Sequence, residues 1–132
     1  MKDTPKIGTL GQQEFRVEKQ HGIGFADDEL PAVLSTPTLI GFLEQTARET
    51  IAHFLEPDEA SLGIIVEIEH LAPTPIGSTV TCTARVVFVE GNIVSFQVEA
   101  RDETERIARG LHKRSVLAKS RFARRVAQKS RK

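Results

Sequence analysis

The chain has neither tryptophan nor tyrosine, and it has a single cysteine, Cys82. One cysteine excludes a disulfide framework and a multi-cysteine zinc site, and it is typical of a protein that works in the reducing cytoplasm. Seven scattered phenylalanines make a poor stacking platform for nucleic-acid bases. We therefore expect a cytoplasmic protein with no nucleic-acid partner.

Long hydrophobic runs are missing as well. The longest uncharged stretch near the middle of the chain, residues 31–43, is too short and too interrupted to span a bilayer. The first ten residues include Lys2, Asp3 and Pro5 in place of an apolar core, so we expect no secretory signal. The sequence predicts no membrane partner.

Charge is balanced overall but unevenly distributed. The 132 residues contain 18 Lys and Arg and 18 Asp and Glu. Residues 113–132 carry nine of the basic residues and no acid, so residues 1–112 have a net charge of −9. An acidic body with a basic C-terminal arm predicts a partner with phosphate at one end. A solvated tail and a nucleic-acid-binding arm are the alternative interpretations.

Hydrophobic patterning predicts the α+β class. Apolar residues recur at i, i+3 and i+4 from Thr36 to Phe54, which predicts a helix of about 19 residues, ~28 Å long. Thr36 followed by Pro37 predicts an N-cap at Thr36. Alternating or Val- and Thr-rich stretches predict five strands, the last four joined by hairpins: residues 12–19, 61–70, 79–89, 93–100 and 106–118.

These elements predict a sheet that curls around one central helix within residues 1–118. Residues 119–132 form a basic tail that is predicted to be a short helix or disordered. One helix cannot cover five strands, so exposed sheet edges favour a homodimer.

Three side chains are candidates for chemistry. Thr36 begins the helix, where the positive end of the helix dipole lies. Glu44 is two turns further on, at the edge of the apolar stripe, and His70 ends a strand. A hydroxyl, a carboxylate and an imidazole can together activate a nucleophile or a water molecule. The alternatives are a plain N-cap for Thr36, an ion pair of Glu44 with Arg48, and a structural role for His70.

The other histidines do not suggest a metal site. His21, His53 and His112 show no metal-ligand spacing, and no pair of them lies four residues apart on the helix. The sequence therefore predicts no metal ion.

Four segments resemble a known family. They are Ser35-Thr36-Pro37-Thr38-Leu39-Ile40-Gly41-Phe42-Leu43-Glu44, and the stretches at residues 55–63, 70–77 and 110–114 with the basic tail that follows. Together they resemble the fluoroacetyl-CoA thioesterase-like family of hotdog-fold thioesterases over nearly the whole chain.

The resemblance implies a hotdog homodimer with acyl-CoA sites at the subunit interface. The family's catalytic Thr, Glu and His fall on Thr36, Glu44 and His70. Its glycine facing the acyl group falls on Gly63, and an arginine associated with coenzyme A binding falls on Arg114. No cofactor is implied, since coenzyme A is part of the substrate and product.

One segment departs from the family pattern. The fluoroacetate-specific members have paired phenylalanines over the pocket, whereas residues 27–31 read Asp-Asp-Glu-Leu-Pro, with only Phe25 nearby. We therefore expect hydrolysis of a short-chain acyl-CoA in general. The alternatives are an acyl-CoA hydratase or dehydratase and a non-catalytic acyl-CoA-binding hotdog protein.

Overall fold

Five strands and two α-helices make up the chain in a computed structural model that describes residues 1–131. Lys132, the last residue of the predicted tail, lies outside the described residues. The strands and helices, in chain order, are β1 (Leu10–Arg16), α1 (Thr36–Ile51), β2 (Glu59–His70), β3 (Thr79–Glu90), β4 (Ile93–Arg101), β5 (Arg106–Ala118) and α2 (Lys119–Ser130). The predicted α+β class is confirmed, and each predicted strand is present with bounds that agree to within a few residues.

The strands form one antiparallel sheet in the order β1-β3-β4-β5-β2. The hairpins predicted between β3, β4 and β5 are confirmed. The hairpin predicted between β2 and β3 is wrong, because these two strands lie on opposite sides of the β4–β5 pair. The connection at residues 71–78 contains Pro73 and Pro75, which restrict the backbone. Pro75 forms an isolated antiparallel β-bridge with Val33, which precedes α1.

Helix α1 packs on one face of the sheet, as the apolar stripe predicts. Its buried residues are Leu39, Phe42, Leu43, Thr46, Ala47, Thr50 and Ile51. The regular helix ends at Ile51, and a 3₁₀ turn continues to Phe54, which packs against the core. Gly11 in β1 allows the helix to approach closely, because a Cβ atom there would overlap the Thr50 side chain.

Strand β2 forms a bare edge of the sheet. Leu62, Ile64, Ile65 and Val66 are between 38% and 49% exposed, although they are apolar. The alternating pattern therefore predicts the strand correctly, but this chain alone does not bury its apolar residues. An exposed apolar edge strand is a template for pairing with another chain.

Helix α2 follows β5 directly and is exposed along its whole length. The amide of Lys119 donates to the Asp58 carbonyl, and the Ser120 hydroxyl donates to the Asp58 carboxylate. Within residues 1–131, no helix is long and apolar enough to cross a membrane.

Candidate active site

Thr36 is the first residue of α1, and the prediction that it caps the helix is wrong. Ser35 is the N-cap: its backbone is extended, and its hydroxyl accepts from the Thr38 amide at 3.3 Å. A cap at Ser35 leaves the Thr36 hydroxyl available for another partner. That partner is His70, whose Nδ1 lies 2.8 Å from Thr36 Oγ1.

His70 reaches Thr36 because β2 ends beside the beginning of α1. Its other ring nitrogen, Nε2, is buried and has no hydrogen-bond partner among residues 1–131. Burial lowers the pKa of His70 below its usual value of 6.5, so the neutral imidazole dominates at pH 7. A neutral imidazole that accepts a hydroxyl proton is the arrangement of a general base.

A small cavity of about 260 Å³ opens beside this pair. It is bordered mainly by apolar side chains, together with the hydroxyl and the imidazole: Ile23, Val33, Leu34, Thr36, His70, Leu71, Ala72 and Pro73. Phe25 does not border it and is 71% exposed. The cavity suits a small apolar group placed next to the Thr36 hydroxyl.

Glu44 lies two turns further along α1, about 12 Å from Thr36 at 1.5 Å per residue. Its Oε2 is 3.6 Å from Arg114 Nη1, and its side chain is 40% exposed. Arg48, the alternative partner, forms no ion pair with Glu44 within the described chain. A Cβ atom at Gly63 would lie 2.5 Å from Glu44 Oε2. The carboxylate can therefore pack against the sheet because residue 63 has no side chain.

Arg114 is buried, with a side chain that is only 5% exposed. Its Nε donates to Ser61 Oγ and its Nη2 to the Ser61 carbonyl, both at 2.8 Å. Arg114 belongs to the basic residues 113–132, but it is not exposed with the rest of that arm, because alternation along β5 turns His112, Arg114 and Val116 inward. The exposed basic segment begins at Lys119.

His112 belongs to the same cluster, although the sequence suggested only that it is not a metal ligand. Its Nε2 is 3.1 Å from Arg114 Nη1, and its Nδ1 is 2.8 Å from the Ile65 carbonyl. The signal that could have identified it is the period of two in β5, which places His112 beside Arg114 on one face.

The five predicted residues thus form two groups within one chain. Thr36 and His70 form a hydroxyl–imidazole pair at the beginning of α1. Glu44, Gly63 and Arg114 form a carboxylate–guanidinium group two turns away, which His112 joins. The first group can activate a nucleophile, and the second presents paired charges to a ligand or to a neighbouring subunit.

Comparison with known proteins identifies close relatives. Residues 17–120 match the family model described as fluoroacetyl-CoA-specific thioesterase. The chain is 39% identical to a fluoroacetyl-CoA thioesterase of Streptantibioticus cattleyicolor, over 98% of both proteins.

Solved structures agree with this similarity. A fluoroacetyl-CoA thioesterase superposes with a TM-score of 0.90 at 32% identity, covering 98% of this chain and 100% of its own. A variant of the same thioesterase has been solved with acetyl-CoA. A hot-dog-like protein from Thermanaerovibrio acidaminovorans has a TM-score of 0.87 at 28% identity, covering 96% of this chain and 93% of its own. The predicted hotdog fold is confirmed.

Proposed function

Since this chain belongs to the fluoroacetyl-CoA-specific thioesterase family, we propose that it hydrolyses a short-chain acyl-CoA to the free acid and coenzyme A. The observation that carries the proposal is the 2.8 Å hydrogen bond between Thr36 Oγ1 and His70 Nδ1 beside a small apolar cavity. This geometry supplies a hydroxyl, a base and room for a short acyl group in one place.

The reaction begins when neutral His70 accepts the proton of the attacking hydroxyl. Thr36 Oγ1 attacks the thioester carbonyl carbon, the C–S bond breaks, and the imidazolium returns its proton to the departing thiolate. Water then hydrolyses the acyl-threonine ester with His70 as base. In the second form of the reaction, His70 activates water directly and Thr36 holds the thioester in place. In both forms, the positive end of the α1 dipole stabilises the developing oxyanion.

A homodimer completes the site in this proposal. In one chain, Glu44 lies about 12 Å from Thr36 along α1, so the two groups are too far apart to act on one bond. Strand β2, the bare edge strand, begins at Glu59 near α2 and ends at His70. Gly63, which lies against Glu44, is within this strand. Pairing of two β2 edges buries the exposed Leu62, Ile64 and Val66 and brings a second copy's Glu44 and Arg114 to the same seam.

The test of the dimer is a charge placed on this edge. The double variant Ile64→Lys and Val66→Lys should elute as a monomer in size-exclusion chromatography with light scattering, and it should lose acyl-CoA hydrolysis. Leu111→Lys, an equally exposed apolar position on β5 (47%), is the control and should keep the dimer. A wild-type chain that is monomeric and active would overturn the dimeric site.

Helix α2 is proposed to hold the nucleotide end of coenzyme A. Arg121, Arg124 and Arg125, with Phe122 among their neighbours, border a cavity of about 600 Å³ between α2 and the end of β5. Guanidinium groups suit phosphates, and an aromatic ring suits a stacked adenine.

We propose the cytoplasm as the location, because the one cysteine, Cys82, is free and buried.

Hydrolysis of an acyl-CoA panel by thiol release is the direct experiment. The panel should include short, long, acidic and halogenated acyl groups, with Thr36→Ala and Thr36→Ser beside the wild type. Burial raises the pKa of the Cys82 thiol to about 12, so its reaction with the thiol reagent should be slow. Selective turnover that Ser retains and Ala loses supports the proposal. Binding without turnover would favour an acyl-CoA-binding protein, and water addition across an enoyl-CoA would favour a hydratase.

A further inference from the structure

His112 is a buried polar side chain that the proposed reaction does not use. It is 2% exposed, and its ring stacks on that of Phe96 with a centroid separation of 6.2 Å. Strand pairing places Phe96 directly opposite His112 across β4 and β5. The ring therefore has a fixed orientation, and both of its nitrogen atoms have partners.

The hydrogen bonds define the tautomer of His112. The Arg114 guanidinium can only donate, so His112 Nε2, 3.1 Å from Arg114 Nη1, must accept. The ring proton then sits on Nδ1, which donates to the Ile65 carbonyl at 2.8 Å. Burial lowers the pKa of His112, and the Arg114 charge lowers it further, against opposing effects of the Ile65 carbonyl and Glu44. The imidazole is therefore neutral at pH 7.

The guanidinium of Arg114 is held along two edges. Ser61 accepts from Nε and Nη2, while His112 accepts from Nη1. Nη1 is also the nitrogen that faces Glu44 Oε2 at 3.6 Å. Within residues 1–131, His112 is the hydrogen-bond acceptor that fixes this end of the guanidinium.

We infer that His112 is a positioning residue that aims Arg114 at Glu44. The inference rests on the proposed function, since it assigns His112 a part in arranging that site. His112 also links Arg114 to Ile65, which follows a β-bulge in the bare edge of β2. The orientation of the Arg114–Glu44 pair therefore depends on the position of β2, the strand at the proposed dimer interface.

Two variants separate this role from simple packing. His112→Gln can place its amide oxygen near the position of Nε2 and still accept from Arg114. His112→Asn can place its amide nitrogen near Nδ1 and keep the bond to Ile65, but it is too short to reach Arg114. Each variant removes one buried hydrogen bond, so the loss of unfolding free energy should be similar for the two.

The two variants should differ in acyl-CoA hydrolysis. We expect His112→Gln to keep kcat/KM within about threefold of wild type and His112→Asn to lose about 10- to 100-fold, the usual cost of a misplaced site group. In a double-mutant cycle, the combined loss of kcat/KM in His112→Asn with Arg114→Lys should be smaller than the product of the two single losses, since both changes disturb the same Arg114–Glu44 pair. Equal activities of the Gln and Asn variants at equal stability would overturn the inference.

A readout that does not depend on catalysis separates the inference from the proposed function. ¹⁵N NMR of the wild-type ring should show the Nδ1–H tautomer, and the N–H signals of Arg114 Nη1, the nitrogen bonded to His112, should be protected from exchange. This protection should persist in His112→Gln and disappear in His112→Asn. An Nε2–H tautomer, or protection unchanged in His112→Asn, would refute the positioning role. Failure of the wild type to hydrolyse any acyl-CoA, with the NMR result as expected, would refute only the proposed function.

Discussion

The two groups of the candidate site are built in different ways. Thr36 and His70 lie at the ends of α1 and β2, share one hydrogen bond, and include an exposed hydroxyl. Arg114 and His112 lie within β5, are buried, and have hydrogen-bond partners on β2. Substitutions in the first group should change the chemistry with little effect on stability, whereas substitutions in the second should change both.

Removal of the imidazole should have the largest effect. His70→Ala should lower kcat by about 10²–10⁴-fold, the usual contribution of a positioned general base. Because the His70 side chain forms a single hydrogen bond within residues 1–131, to an exposed hydroxyl, the free energy of unfolding should fall by no more than about 1 kcal/mol. Steady-state hydrolysis and urea denaturation measure the two quantities. A kcat within threefold of wild type would remove His70 from the mechanism.

A methyl group at Gly63 tests the second group. In Gly63→Ala, the new Cβ would lie 2.5 Å from Glu44 Oε2 and 3.0 Å from His112 Cε1, so the carboxylate must move. We expect kcat/KM to fall about 10- to 100-fold and the unfolding free energy to fall by about 1–3 kcal/mol. Gly24→Ala, where a Cβ meets no atom within 4 Å, is the matched control. Wild-type hydrolysis in Gly63→Ala would show that Glu44 need not lie against the sheet.

Deletion of residues 119–132 should raise KM more than it lowers kcat. The deletion removes binding energy that is the same in the ground state and the transition state, so we expect KM to rise about tenfold and kcat to stay within twofold. An acyl-pantetheine substrate, which lacks the nucleotide and its phosphates, is the control. Its KM should be the same for the full-length and truncated chains. An unchanged KM for acyl-CoA would show that α2 is a solvated helix that does not bind coenzyme A.

The smallest effect concerns pH and stability. The pKa values of His70 and His112 are lowered by burial in the folded protein, so the unfolded chain binds protons more readily below pH 6.5. Stability should therefore be complete above pH 6.5 and decline as the pH falls below it. Urea denaturation between pH 7.5 and 5.5 measures this decline, and His112→Gln should reduce it. A slope that His112→Gln leaves unchanged would assign the decline to other groups.

Local patterns predicted the elements well. The i, i+3, i+4 stripe identified α1, and the last strand was predicted with the bounds that β5 has in the structure, Arg106–Ala118. Local patterns were less informative about burial. Leu62, Ile64 and Val66 follow the alternation of a half-buried strand, yet they are exposed because β2 is a sheet edge.

The site shows the same division. Thr36 and His70 were candidates because they stand at the ends of elements, where side chains are commonly displayed. The N-cap was predicted at Thr36, one residue after the observed cap, Ser35. Both residues carry a hydroxyl group, and only the backbone conformation decides which of them caps the helix. The sequence did not predict that Arg114 is buried. A charged residue next to a basic tail is expected to be exposed unless its partners on another strand are known.

Local sequence is enough to specify which segments become helix or strand, the separation of an acidic body from a basic arm, and the residue types available for catalysis. These properties depend on neighbours within a few positions, where periodicity and capping act. The tertiary structure alone decided that β2 lies beside β5 at the edge of the sheet. It thereby decided that Ser61 and Ile65 hold Arg114 and His112, and that His70 meets Thr36. Those contacts join residues 34 to 53 positions apart, and no local pattern specifies which distant strands will pair.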